Sequence, residues 1–163
     1  MWNWWVRTWH IKLQPLVNWV PAGIQSLFYN DYKGKLILRN LRGSSPDFYT
    51  MISKMKALNF RWLRDRPFDY VQKPWVTCDR AGGDCDDFAH LWKALLQGYG
   101  KTELLLTKSK KGDMHMMCIF TAAGSSWLLS NVNLLDKESE ADKDKFKTKF
   151  YGSETLWSVI YDG

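Results

Sequence analysis

Cysteine is scarce in this chain, with three among 163 residues. An odd count argues against a disulfide framework, and Cys78 and Cys85 are too far apart in sequence to form the usual zinc-ligand pair. A reducing compartment, or a free thiol with a chemical role, fits better. The sequence has no internal repeat, no low-complexity tract and no phosphate-cradling glycine loop. These absences set aside solenoids, disordered linkers and the common nucleotide-binding loops. A long apolar run is missing too. Leu13 to Asn30 carries no charge, but Pro15, Asn18, Pro21 and Gln25 interrupt it. It makes a poor membrane span and a poor secretion signal, so the expected compartment is the cytoplasm.

The length suits one domain with a substantial core. Apolar and charged fractions of 45% and 25% are ordinary, but ten tryptophans are not. The net charge is +6, and residues 1–45 hold six Lys and Arg against one Asp. The rest of the chain is nearly neutral, which argues against a general nucleic-acid binder. We therefore divide the chain into a Trp-rich basic segment, residues 1–35, and an α+β domain, residues 36–163. On a helix, Trp2, Trp5, Val6, Trp9 and Leu13 share a face opposite Asn3, Arg7, His10 and Gln14. Residues 1–30 thus suit docking on their own domain or peripheral contact with a membrane surface. Docking is the expectation. Leu16, Val17, Trp19, Val20, Ile24, Leu27 and Phe28 would each gain roughly 1.5–3 kcal/mol on full burial.

The chain is organised around Gly82-Gly83-Asp84-Cys85-Asp86-Asp87-Phe88-Ala89. A glycine pair closes a loop, and helical spacing of Phe88, Leu91, Trp92, Leu95 and Leu96 then begins, ending at Gly98 and Gly100. Cys85 falls at the helix N-terminus, where free N–H groups and the dipole favour a thiolate. A buried, inert cysteine is the bland alternative. A nucleophile needs a base and an orienter. Three strand-like runs follow, at Thr102–Thr107, Asp113–Thr121 and Ser126–Leu134. His115 lies in the second, and Asn131 in the third is the expected orienter, with Asn133 and Asp136 in reserve. His115, Met117 and Ile119 face one way, and Met116, Cys118 and Phe120 the other.

Elsewhere, Asp31–Lys35 reads as a turn and Gly43–Pro46 as a loop, with Ser45 or Asp47 opening a helix near Phe48. Phe48, Met51, Ile52, Met55 and Leu58 would form its core face. Pro67 and Pro74 frame an ordered loop leading to Cys85. Trp75 lines a substrate groove or packs internally. Asp136–Lys149, with five acidic and five basic residues, reads as a solvated loop or surface helix, and Leu156–Tyr161 as a last strand.

Gly83-Asp84-Cys85-Asp86-Asp87-Phe88-Ala89 resembles the Gly-Asp-Cys-Glu-Asp-Phe/Tyr-Ala signature of bacterial transglutaminase-like cysteine proteinases. Asp69-Tyr70-Val71-Gln72-Lys73-Pro74-Trp75 is similar to the approach to that signature, and the likeness runs from about Pro46 to Leu134. That family has Trp-x-x-x-Asp after its His strand; this chain has Trp127-x-x-x-Asn131. The resemblance implies a papain/transglutaminase-like core, with the catalytic cysteine on a helix packed against an antiparallel sheet. It implies a cysteine peptidase or amidase acting on a protein or peptide substrate, through Cys85, His115 and Asn131, without a cofactor for the chemistry. Calcium at Asp84 and Asp86 is the metal it suggests. The alternatives are a transglutaminase or deamidase, and a catalytically weak or inactive binding module.

Overall fold

The sheet at the centre of this protein is apolar on both faces, and each face is covered by a different helix. In the computed structural model, residues 31–45, 47–64 and 71–162 are described. The expectations for residues 1–30, and for Pro67, Asp69 and Tyr70 on the approach to Cys85, lie outside these residues.

The first described helix, α1 (Asp31–Gly43), includes the five residues that read as a turn, so the boundary drawn after residue 35 falls within a helix. Its glycine does not bend the chain. A Cβ on Gly34 would run into the backbone carbonyl of Trp75, so the missing side chain lets another segment approach closely. In α2 (Phe48–Ala57), Asp47 is the N-cap and its carboxylate accepts from the Thr50 N–H at 2.9 Å. Phe48, Met51, Ile52 and Met55 are buried as their spacing requires. Leu58 is not; it sits past the last turn and is largely exposed.

A short strand, β1 (Arg61–Trp62), precedes a second correction. Pro74 opens helix α3 (Pro74–Arg80) rather than a loop. Proline at the first turn of a helix loses no hydrogen bond, because that N–H has no partner there anyway. Ala81, at φ 50°, ends the helix in the left-handed region. Strand β2 (Gly82–Gly83) pairs in parallel with β1, and α4 (Cys85–Leu96) follows at once.

The remaining strands are β3 (Lys101–Ser109), β4 (Met114–Ala122), β5 (Ser125–Ser130), β6 (Asn133–Ser139) and β7 (Thr155–Tyr161). They form one antiparallel sheet in the order β6-β5-β4-β3-β7. Phe88, Leu91, Trp92 and Leu95 of α4 pack on the face bearing Leu104, Leu106, Met116, Cys118, Phe120, Trp127 and Leu129. The other face carries Leu105, Met117, Ile119 and Leu128. Burial on both faces explains why β4 reads as a continuous apolar run. Cys78 and Cys118 lie in the first core, and burial pushes both thiols up to about 12.

The charged stretch after β5 is more ordered than its composition suggests. Part of it is edge strand β6, and a 3-10 segment (Glu140–Lys145) leads into the short helix α5 (Phe146–Lys149). Lys149 pairs with Asp136 at 2.6 Å and Lys143 with Glu103 at 2.7 Å. The Lys149 pair is solvent-facing and contributes little, and Glu103 is buried beneath its lysines; the anchor is Phe146, fully buried in the second core. Among the described residues, no helix is long and apolar enough to cross a membrane. Phe146→Ala should lose ~3–5 kcal/mol in urea denaturation. A loss below ~1 kcal/mol would mean that α5 is held by its charges instead.

Candidate active site

Cys85 is the first residue of α4, and Asp84 is the N-cap. The link before it is fixed by a buried carboxylate. Asp87, in the first turn of α4, accepts hydrogen bonds from the Gln72 N–H at 2.6 Å, from the Gln72 side-chain amide, and from the Asp84 N–H at 3.1 Å. This explains the glycine: a Cβ at Gly83 would stand 2.5 Å from Asp87 Oδ2. From the other side the Leu63 N–H donates to the Gly83 carbonyl at 2.8 Å, and the Arg61 N–H to the Ala81 carbonyl at 2.9 Å. The peptide leading to Cys85 is therefore strapped on both edges. The thiol itself is in no disulfide and is half-buried, at the positive end of a twelve-residue helix.

His115 is the second residue of β4, and its Nε2 lies 2.7 Å from Ser130 Oγ, on the last residue of β5. The orienter expected from sequence was Asn131; the structure puts its neighbour on the imidazole. Asn131 is the turn residue after β5, at φ 49°, and its Oδ1 makes no hydrogen bond. Its backbone carbonyl accepts from Trp92 Nε1 at 2.5 Å, tying the turn to α4. Asn133 and Asp136 both lie in β6; Asp136 pairs with Lys149.

By alternation His115 and Ser130 belong with Met117, Ile119 and Leu128, on the sheet face away from the body of α4. Both stand at the same end of the sheet, at the start of β4 and the end of β5, whereas Cys85 packs against the core on the other face. The negative charge of Asp84, next to Cys85, reaches the His115 ring. The charge of Cys85 in turn reaches Tyr151, whose phenol is raised by burial, Asp113 and Cys85. The Phe150 ring stacks on His115, with centroids 4.0 Å apart and planes 13° from parallel. Burial lowers the His115 pKa to about 4, and the opposing pull of Asp84 does not restore it.

Oxygens of Asp84, Asp86 and Asp87 lie within 4.8 Å of one another. Those of Asp87 are engaged as described. Asp84 Oδ1 and Asp86 Oδ1 are buried and have no hydrogen-bond partner. Burial, the hydrogen bond with Asp84, and the charges of Asp87, Asp84 and Cys85 push the Asp86 carboxyl well above the usual range. Trp75 is half-buried in α3, with Lys73 Nζ 4.9 Å and Lys35 Nζ 5.0 Å from its ring centroid.

The residues the sequence did not single out are Ser130, Phe150 and Asp87 in its bracing role. Ser130 carries the period-two signal from Leu128. Phe150 shows only as an aromatic at the end of a charged run.

A sheet of this order with a cysteine-headed helix on one face defines the papain/transglutaminase-like α+β fold. The chain is similar in structure to Legionella pneumophila LapG, with a TM-score of 0.53 and 18% identity over 82% of this chain and 80% of that one. It is also similar to the EGTA-treated form of LapG, at 0.52 and 17% over 82% and 77%. For calcium-bound LapG the figures are 0.50 and 17%, over 77% and 76%. These likenesses establish the fold. No protein-family model matches the chain, and no curated protein sequence does.

Burial lowers His90, on α4, to about 4 as well, with Lys93 adding to the effect. For both histidines the folded pKa lies below the unfolded one. Their contribution to stability is complete above about pH 6.5 and is lost as the pH falls toward 4, because the unfolded chain takes up protons that the folded one refuses. Between pH 7 and 5, unfolding free energy should drop by ~2 kcal/mol for His115 and less for the half-buried His90. Urea titrations at the two pH values check this, and His115→Gln with His90→Gln should flatten the difference.

Proposed function

We propose that the protein is a cysteine-dependent amide hydrolase, a peptidase or amidase acting on protein or peptide substrates. The observation that carries this reading is the His115–Ser130 hydrogen bond at the sheet end, within reach of the charge of Asp84, the residue before Cys85. Cys85 attacks the amide carbonyl and forms an S–C bond, while its proton passes to His115. The backbone N–H of Cys85 donates to the oxyanion. The C–N bond breaks as His115 returns the proton to the leaving amine, and water then hydrolyses the thioester. Ser130 orients the imidazole through Nε2, a role a hydroxyl fills without adding charge. Trp75 contributes an aromatic wall to the substrate side.

A second reading is favoured by that same missing charge. A neutral serine does not stabilise an imidazolium, and a ring whose pKa is about 4 is a weak base at neutral pH. This suits a slow enzyme, or a module that binds without cutting. Iodoacetamide separates the readings. In the catalytic one, Cys85 alkylates at neutral pH while Cys78 and Cys118 do not, and His115→Ala slows it at least tenfold. Ser130→Asp should raise the His115 pKa and quicken the reaction, whereas Asn131→Ala changes it less than twofold. On a fluorogenic casein probe, Cys85→Ala should abolish cleavage with folding intact. Equal reactivity of all three thiols, or of wild type and His115→Ala, would remove the catalytic reading.

We also propose that calcium binds at Asp84 and Asp86. Two buried carboxylate oxygens without hydrogen-bond partners, on side chains that repel each other, suit a hard cation with oxygen ligands. When bound, the ion cancels negative charge beside the thiol and so favours its ionisation. Asp87 is spent on Gln72 and is the lesser ligand. The melting temperature should rise with millimolar calcium and fall with EGTA. At a hundredfold excess over the dissociation constant the stabilisation is about 2.7 kcal/mol. Asp84→Asn and Asp86→Asn should each blunt it; a flat response across calcium and EGTA would show that the two carboxyls share a proton instead.

A further inference from the structure

Phe150 belongs to neither hydrophobic core and is 41% exposed, yet its position is closely determined. It follows directly on α5, which is anchored by buried Phe146. The Ser158 hydroxyl donates to the Lys147 carbonyl at 2.5 Å, and Lys149 is paired with Asp136. On the far side, the Lys110 N–H donates to the Glu154 carbonyl at 2.8 Å, which ties the segment to the β3–β4 hairpin. Tyr151 packs edge-on against Phe150, at 4.9 Å and 86°. All this brings the flat of the Phe150 ring onto the imidazole of His115 while the residue stays partly open to solvent. An aromatic held this firmly, outside the core and against a histidine, does little for folding and much for the histidine.

We propose that Phe150 is a positioning residue for His115, fixing the plane of the imidazole and keeping water from one of its faces. Ser130 then holds Nε2, with the Nε2–H donating to its hydroxyl oxygen, and Nδ1 is the nitrogen left to take a proton. The ring stays neutral because the stack removes the water that would solvate an imidazolium. The lowered pKa of His115 agrees with this. The charged group that reaches the ring is Asp84 at the start of α4; Tyr151, packed on Phe150, is reached by the charges of Asp113 and Cys85. The charge of Asp84 opposes the effect of burial. Only the role of Nδ1 as proton acceptor rests on the proposed hydrolase; the stack and its effect on the ring do not.

The test is an NMR pH titration of the histidine rings in the full chain. In wild type, His115 should titrate at about 4. In Phe150→Ala its midpoint should move up by about one unit or more, because one ring face gains water. Phe150→Gln, of similar length but without an aromatic face, should move it the same way and covers any loss of packing in the alanine variant. Phe150→Tyr should restore the wild-type midpoint. His90 is the internal reference and should not move. A His115 midpoint unchanged in both Phe150→Ala and Phe150→Gln would overturn the proposal. Iodoacetamide kinetics on the same variants keep the two questions apart. If the NMR midpoint moves while Cys85 is inert in every variant, Phe150 positions His115 and the hydrolase reading fails. If Cys85 reacts and the midpoint does not move, the hydrolase stands and this role for Phe150 fails.

Discussion

The buried carboxylate of Asp87 is the interaction on which the site depends. One side chain accepts from the Asp84 N–H, from the Gln72 backbone and from the Gln72 amide, so it joins the start of α4 to the loop before α3. Hydrogen bonds to a charged acceptor are worth about 1.5–3 kcal/mol each, and a carboxylate left unpaired in the interior is costly. Asp87 therefore permits few alternative arrangements of Gly83, Asp84 and Cys85. The parallel β1–β2 bridge closes the other edge of the same peptide. The result is a thiol at a helix start whose backbone is held from both sides.

The second half of the site is built on a different principle. His115 and Ser130 sit where two strands meet the end of the sheet, away from the body of α4. Their setting is apolar, with Met117 and Ile119 along the strand and Phe150 on the ring. Among the described residues, no carboxylate is hydrogen-bonded to the imidazole. The acidic groups gather instead around Cys85, where Asp84 and Asp86 crowd together. Negative charge is thus concentrated beside the thiol, and the part of it that reaches the base does not outweigh burial, the reverse of what would best make a thiolate–imidazolium pair. A cation bound among the aspartates, as proposed above, would offset the first half of that arrangement. Among the described residues nothing offsets the second, and a neutral imidazole follows.

Much of the fold was legible because its elements are strongly periodic. The apolar positions of α4 are all buried, as are those of α2 up to Leu58, and Gly112 and Gly124 mark turns with positive φ. Errors gathered where one residue type serves two purposes. Gly34 and Pro74 read as breakers along the chain, but one admits a neighbouring backbone and the other starts a helix. The charged run after Asp136 looked uniformly solvated because a single phenylalanine anchors it, and one residue has no period.

The sequence by itself determined the helix start at Cys85, the strand that bears His115, and the acidic cluster between glycine and helix. These are local: spacing, capping and turn chemistry act over a few residues and can be read along the chain. Tertiary structure alone decided the imidazole's partner and its covering. Ser130 and Asn131 are adjacent in sequence, and which one meets His115 depends on where β5 ends, since one step along a strand reverses the side chain and Asn131 already belongs to the turn. Phe150 lies thirty-five residues from His115, and the burial of Phe146 against the far sheet face, with the contacts around it, brings the two rings together.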